Sequence, residues 1–137
     1  MRDELIAALA GRAERALELQ AGLTAIPALS PENGGEGEEK KALWLEEKLR
    51  SFGLTNIEHV DAPDPRVPSG RRPNMIVRVP GRTNRTLWVL AHLDVVPPGD
   101  PGLWKSDPWT VTQDPEDPDL IRGRGVEDNQ QAAVSAI

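Results

Sequence analysis

Hydrophobic residues in the first fifty positions recur at helical spacing. Between residues 2 and 23 an apolar side chain returns every three or four positions, which predicts one amphipathic helix. A second helix is predicted from about Glu36 to Phe52, where acidic residues in the first turn complement the helix dipole. Gly53 is expected to end this helix in a left-handed cap, so that Leu54 folds back onto Leu49.

The rest of the chain carries short apolar runs separated by turn-forming residues, a pattern that indicates strands. The run at 87–92 is apolar throughout rather than alternating, which is typical of a central strand buried on both faces. We therefore expect an α/β fold with a mixed, largely parallel sheet flanked by helices, in one domain over residues 1–137. The strand candidates are residues 56–60, 74–79, 87–92, 109–112 and 120–122.

Charge and composition narrow the possible partners. The formal net charge is −6 and the basic residues are scattered, so nucleic acid is not an expected partner, and Arg71-Arg72 is predicted to lie in a solvated loop. The chain has no cysteine, which leaves His, Asp and Glu as metal ligands. No apolar run approaches the ~20 residues of a membrane span, so we expect a cytoplasmic protein without a membrane partner. The charged residues expected on the solvated face of the second helix are Lys40, Lys41, Glu46, Glu47 and Lys48.

The candidate chemistry begins where the most apolar run ends, at His92-Leu-Asp94. Side chains alternate faces along a strand, so His92 and Asp94 would point the same way. A neutral imidazole can then bind a divalent metal while a neighbouring carboxylate accepts its other ring N–H and fixes its orientation. The alternative is that His92 ends a core strand and forms a structural pair with Asp94. The only other histidine, His59, is expected to be an ordinary strand side chain.

A second candidate carboxylate is Asp128, between a short strand and an alanine-rich helical segment. Gly123 and Gly125 before it permit close backbone approach or a positive φ. Taken alone, Asp128 is better explained as the N-cap of the helix that follows than as a metal ligand.

These motifs, with others spread along the chain, resemble the family of dinuclear zinc aminoacylases and exopeptidases that includes acetylornithine deacetylase, succinyl-diaminopimelate desuccinylase and carboxypeptidase G2. By that resemblance His92 is a terminal ligand of one zinc ion, Asp128 bridges both ions, and Asp94 is the catalytic-site carboxylate that orients His92. Two zinc ions are implied, with cobalt or manganese as possible substitutes, and so is a cis peptide bond after Asp128. The segments that carry the resemblance are Ala25–Pro31, Gly35–Glu39, Arg72–Ile76, Ala91–Pro97, Leu103–Trp109 and Gly123–Asp128.

The chain also departs from the family pattern. The family's water-activating glutamate belongs to a Glu-Glu pair after the bridging aspartate, and no such pair occurs here in matching context. Many members carry a lysine and a glycine soon after that aspartate, where this chain has Asn129-Gln-Gln131, so the subfamily stays open. The helical pattern from Asn129 to Ile137 has no stop signal. The 137 residues are therefore expected to be the amino-terminal portion of the catalytic domain of a longer hydrolase.

Two functions follow as expectations. In the first, the full-length protein uses metal to hydrolyse an amide bond in a small N-acyl amino acid or dipeptide, and this chain alone, without the general base, is inactive. In the second, the chain is a non-catalytic folding or oligomerising module that keeps a vestigial metal half-site. An apolar surface or sheet edge left open makes a homo-oligomer the expected assembly in either case.

Overall fold

The computed structural model describes residues 2–137, except the side chain of Leu5. The described chain combines helices with short strands, which confirms a mixed α/β composition. The helices are α1 (Arg2–Ala10), α2 (Ala13–Thr24), α3 (Glu39–Ser51) and α4 (Gln131–Ala136). The strands are β1 (Ile57–His59), β2 (Ala62–Pro63), β3 (Arg71–Arg72), β4 (Met75–Val77), β5 (Thr112–Gln113) and β6 (Ile121–Arg122).

The core lies where α2 and α3 pack together. The single helix predicted from 2 to 23 is two helices interrupted at Gly11-Arg12, and α1 is exposed along most of its length. Gly22 lets the helices approach, because a Cβ there would lie 2.0 Å from the Trp44 ring. The buried cluster is formed by Leu23, Leu45 and Leu49, and the side chains packed around it are Trp44, Leu54, Ile57, Met75, Val77, Leu93, Val134 and Ile137.

The end of α3 follows the sequence prediction. Gly53 has a φ of 83°, in the left-handed region that glycine adopts without steric cost. Leu54 N donates a hydrogen bond to Leu49 O at 2.9 Å, and the Leu54 side chain packs against the core cluster. The turn therefore directs the chain from α3 into β1.

The strands form three two-stranded antiparallel pairs, β1 with β4, β2 with β3 and β5 with β6. The expectation of a largely parallel sheet is therefore wrong for the described residues. A parallel pair needs a long crossover, usually through a helix, and no helix lies between β1 and β4. The chain consequently returns alongside itself in the opposite direction, with Ile57 opposite Val77 and His59 opposite Met75.

Residues 87–92 were predicted to be the central strand, and this prediction is also wrong in the described structure. The run has no regular secondary structure, and Leu87 and Leu90 are 89% and 80% exposed. A strand buried on both faces needs a hydrogen-bonded neighbour along its edges. Between Arg78, whose N–H bonds Asn56, and Val95, whose N–H bonds Ala28, no described backbone N–H donates to a backbone carbonyl. The apolar run consequently lies on the surface.

The arginine pair that was expected in a solvated loop instead forms β3 and ties the loop to the start of α3. Arg72 Nε donates to Glu38 Oε2 at 2.6 Å, and its Nη1 lies 3.5 Å from Asp64 Oδ2. Arg71, which is about half exposed, pairs with Glu39 at 3.1 Å. Hydrogen bonds from Arg66, with a smaller contribution from Arg72, hold the pKa of Asp64 well below its usual range.

Among the described helices, none is long and apolar enough to cross a lipid bilayer.

Candidate metal centre

His92 stands between two carboxylates, one on each ring nitrogen. Its Nε2 lies 3.0 Å from Asp128 Oδ1, and its Nδ1 lies 3.2 Å from Asp94 Oδ1 and 3.1 Å from the Asp94 carbonyl oxygen. The three residues predicted from sequence are therefore brought together. The route differs from the one expected, since His92 and Asp94 lie in an irregular segment rather than on a strand.

Asp128 is presented by a tight irregular turn, Val126–Gln130. Gly125 enters the turn with a φ of 85°, and a Cβ at that position would lie 2.7 Å from Val95 Cγ1. Asp128 has extended rather than helical dihedral angles, and the peptide bond to Asn129 is cis, as the family resemblance implies. The N-cap of α4 is Gln130, so the alternative that Asp128 caps this helix does not describe the structure.

The distance between His92 and Asp128 suits a shared cation. Zinc lies at ~2.0–2.1 Å from imidazole nitrogen and ~2.0–2.2 Å from carboxylate oxygen, so two tetrahedral ligands stand about 3.3 Å apart. The observed separation is 3.0 Å. Asp94 faces the other ring nitrogen, where it can fix the imidazole orientation but is not a further ligand to the same ion.

The described residues supply only part of a coordination shell. No group of three or more His, Cys, Asp or Glu side chains within residues 2–137 is arranged to hold a metal ion. The donors present, one imidazole nitrogen and one carboxylate, nevertheless match the ligand chemistry of zinc. The described residues thus bring two donor atoms to 3.0 Å from each other, and a metal site here would need further ligands.

A purely structural explanation of the cluster is weak on energetic grounds. The His92 and Asp94 side chains are about half exposed, and that of Asp128 is 74% exposed. Ion pairs at such exposure contribute little to stability, because water screens the charges. The contact of His92 with Asp128 therefore contributes little to the stability of the fold.

Lys41, which was expected in solvent, is buried at 1% exposure, and its Nζ has no hydrogen-bond partner among the described residues. Burial lowers the pKa of Lys41 to about 8, and the charges of Asp94 and Glu38 oppose this shift. The spacing in the sequence could have predicted this burial, because Lys41 is four residues before Leu45 and eight before Leu49, on the buried face of α3. Lys41 thus places a buried amine within electrostatic reach of the Asp94 carboxylate.

Two polar residues of α2 were also missed by sequence reasoning. Gln20 and Thr24 are buried and hydrogen-bond to the turn that carries Asp128. Their separation of four residues would have placed them on one helix face, but nothing in the sequence indicates what that face contacts.

Comparison with known proteins gives relatives of one chemical class. Over 129 residues, 90% of the chain, it is 34% identical to an uncharacterised metallohydrolase of Methanococcus maripaludis and 33% identical to another of Methanocaldococcus jannaschii. Over 113 residues it is 33% identical to a succinyl-diaminopimelate desuccinylase of a Methylobacterium species. The chain spans about 30% of the length of the two metallohydrolases and 25% of the desuccinylase. No family model and no solved structure matches the chain.

Proposed function

We propose that the full-length protein hydrolyses an amide bond in a small N-acyl amino acid or dipeptide. The proposal follows from the family of the chain, which is that of the metal-dependent aminoacylases and exopeptidases. The observation that carries this proposal is the 3.0 Å approach of His92 Nε2 to Asp128 Oδ1, with Asp94 on the opposite ring nitrogen. His92 and Asp128 would hold metal, with zinc as the ion that best suits their donor atoms.

Each residue has a separate task in this scheme. A bound pair of ions would acidify a shared water and polarise the scissile carbonyl. His92 would offer the Nε2 lone pair of a neutral imidazole, while Asp94 would accept a hydrogen bond from Nδ1–H and so leave Nε2 free to bind. Asp128 carries two carboxylate oxygens, which is what a bridging ligand requires. The remaining ligands and the general base would come from the part of the full-length protein that this chain does not include.

We propose that the substrate binds in a cavity of about 410 Å³ beside the turn Val126–Gln130. Its lining combines apolar surface with Lys105 and with Arg122, which is already paired with Asp114 at 2.5 Å, so Lys105 is the cation that suits the free carboxylate of an N-acyl amino acid. In the full-length protein, Lys105→Met should raise KM for such a substrate about tenfold or more and leave kcat nearly unchanged, because Lys105 would contribute binding alone. An unchanged KM would remove this assignment. The lining residues are Leu103, Trp104, Lys105, Ser106, Arg122, Gly123 and Val126.

Zinc calorimetry on this chain tests the metal half-site directly. His92→Ala and Asp128→Ala each remove a donor atom and should abolish measurable binding, while Asp94→Asn should weaken it by about 10–100-fold because it disturbs only the orientation of His92. His59→Ala is the matched control, since His59 pairs with Glu46 away from the site. Equal weak binding by the parent and the His92, Asp128 and Asp94 variants would refute the half-site.

Catalytic turnover should distinguish the full-length protein from this chain alone. The full-length protein with zinc or cobalt should hydrolyse N-acetyl amino acids or dipeptides. We propose that this chain alone has negligible turnover, because it lacks the family's Glu-Glu pair in matching context. Clear hydrolysis by the purified 137-residue chain would overturn that part of the proposal.

A second candidate role is self-association, and the exposed apolar run Leu87–Leu90 favours it. This stretch has unpaired backbone groups and consecutive apolar side chains, the combination that adds a strand from another molecule. We propose that a second copy of the chain pairs along it. In the non-catalytic alternative, this pairing would be the chain's main activity and zinc would bind weakly or not at all.

A further inference from the structure

The turn that carries Asp128 is held by one face of α2. Gln20 and Thr24 lie one helical turn apart and therefore project from the same side of the helix. Gln20 Nε2 donates to the carbonyl oxygen of Val126 at 3.1 Å, and Thr24 Oγ1 donates to Gln130 Oε1 at 3.0 Å. Val126 and Gln130 are the first and last residues of the turn. The two hydrogen bonds therefore fix both ends of a segment whose centre is Asp128.

Asp128 depends on this attachment for its position. Its carboxylate is mostly exposed and meets His92, so no packing around the side chain locates it. The attachment points, in contrast, are buried: Thr24 is 0% exposed and Gln130 is 1% exposed. Gly123 packs tightly against this face, since a Cβ there would lie 3.2 Å from Thr24 Cγ2. The turn is thus rigid at its ends while its central carboxylate faces the site.

The energetics of the buried amides point away from a purely stabilising role. Gln20 Oε1 and Gln130 Nε2 are buried without a hydrogen-bond partner among the described residues. A buried polar atom left unpaired costs free energy that an apolar side chain of the same size would not. The side chains gain their two hydrogen bonds to the turn at this cost. The two hydrogen bonds fix the position of the turn relative to α2.

We propose that Gln20, Thr24 and Gln130 form a clamp that positions Asp128 for metal binding. They act as positioning residues and do not touch the ion themselves. This inference rests on the proposed function of the same site, because it assumes that Asp128 binds metal. It adds that metal affinity depends on a helix near the start of the chain, more than a hundred residues away in sequence.

The clamp can be tested in the full-length protein by zinc affinity, measured in competition with a chromophoric chelator, and by the visible absorption of the cobalt-substituted protein. Thr24→Val keeps the side-chain shape and removes the hydroxyl, and it should lower zinc affinity by about 10–100-fold and change the cobalt spectrum. Thr24→Ser restores the hydroxyl and should stay within about threefold of the parent. Leu49→Ala, which opens a cavity in the core cluster and removes no hydrogen bond to the turn, is the control for general destabilisation.

Gln130→Met provides a second route should Thr24→Val fold poorly. It removes the unpaired amide nitrogen but leaves the buried Thr24 hydroxyl without an acceptor, so these two effects on stability oppose each other and the melting temperature should change little. Zinc binding should weaken as it does in Thr24→Val. The double variant should bind zinc no more weakly than either single variant, because both remove the same hydrogen bond.

The outcomes separate the clamp from the proposed function. Loss of zinc affinity in Thr24→Val and Gln130→Met, with affinity kept in Thr24→Ser and Leu49→Ala, supports the clamp. Parental affinity in Thr24→Val and Gln130→Met overturns the clamp and leaves the metal site intact. A parent protein that binds no zinc overturns both, and a loss in Leu49→Ala equal to that in Thr24→Val overturns the positioning role in favour of general stability.

Discussion

Lys41 carries a buried charge that works against folding. Its pKa falls from 10.5 to about 8 because burial disfavours the ammonium ion. Lys41→Met keeps the length of the side chain and removes the charge, so at pH 7 it should raise the free energy of unfolding by up to about 3 kcal/mol. Urea unfolding monitored by tryptophan fluorescence measures the change. Lys40→Met, on the exposed neighbour that pairs with Glu36, should leave the free energy of unfolding nearly unchanged.

The same residue predicts a pH dependence with a defined sign. Below pH 8 both folded and unfolded chains bind the proton, so the full cost of burial is present. Between about pH 8 and 10.5 the unfolded chain holds the proton more tightly than the folded chain, and stability attributable to Lys41 rises with pH. Asp94 and Glu38 oppose the shift and limit its size. Unfolding curves at pH 7.5 and 10 should show this rise in the parent and lose it in Lys41→Met, and an equal rise in both proteins would contradict the assignment.

At this scale, the sequence predicted which three side chains meet but not what supports them. His92, Asp94 and Asp128 were singled out by the family resemblance, because each motif alone is also explained by a structural pair or a helix N-cap. Gln20, Thr24 and Gln130 were not, because an amide or hydroxyl becomes informative only when its burial and partner are known. Lys41 falls between these cases, since its spacing from Leu45 and Leu49 indicated the buried face while its charge suggested solvent.

Among the elements, the start of α3 depends on ion pairs from β3. The N-cap residue Glu38 makes no side-chain hydrogen bond to the helix, and its carboxylate is instead bound by Arg72. Arg72→Met would leave the buried Glu38 carboxylate without its partner, so the free energy of unfolding should fall by on the order of 2 kcal/mol. Arg71→Met removes the pairs with Glu39 and Asp61 from the more exposed adjacent position and should cost less than about 1 kcal/mol. Chemical denaturation of the two variants side by side checks the difference, and equal losses would show that burial of the pair is unimportant.

Helices were more predictable than strands for a physical reason. The C-terminal end of α3 and its Gly53 cap are fixed by contacts within a few residues, so the local pattern contains them. The α1–α2 break was missed because Gly11 and Arg12 interrupt a helix without disturbing the apolar period. Strand pairing depends on which other strand lies alongside. β4 pairs with β1 across the intervening loop, whereas the more apolar run at 87–92 pairs with no described strand. The hydrophobicity of this run indicated that it is suited to a sheet, but it does not indicate whether adjacent strands are present.

For the molecule as a whole, the unpaired apolar run predicts concentration-dependent association. Two copies that pair along Leu87–Leu90 would satisfy backbone groups and bury side chains that are now exposed. Leu90→Lys places a charge in the centre of that contact and should raise the dissociation constant of the dimer at least about tenfold. Light scattering after size exclusion, across a range of loading concentrations, measures it. Leu103→Lys changes an equally exposed leucine outside the run and should leave association unchanged. A parent that stays monomeric throughout, or a Leu103 variant that dissociates as readily, would show that the run does not mediate assembly.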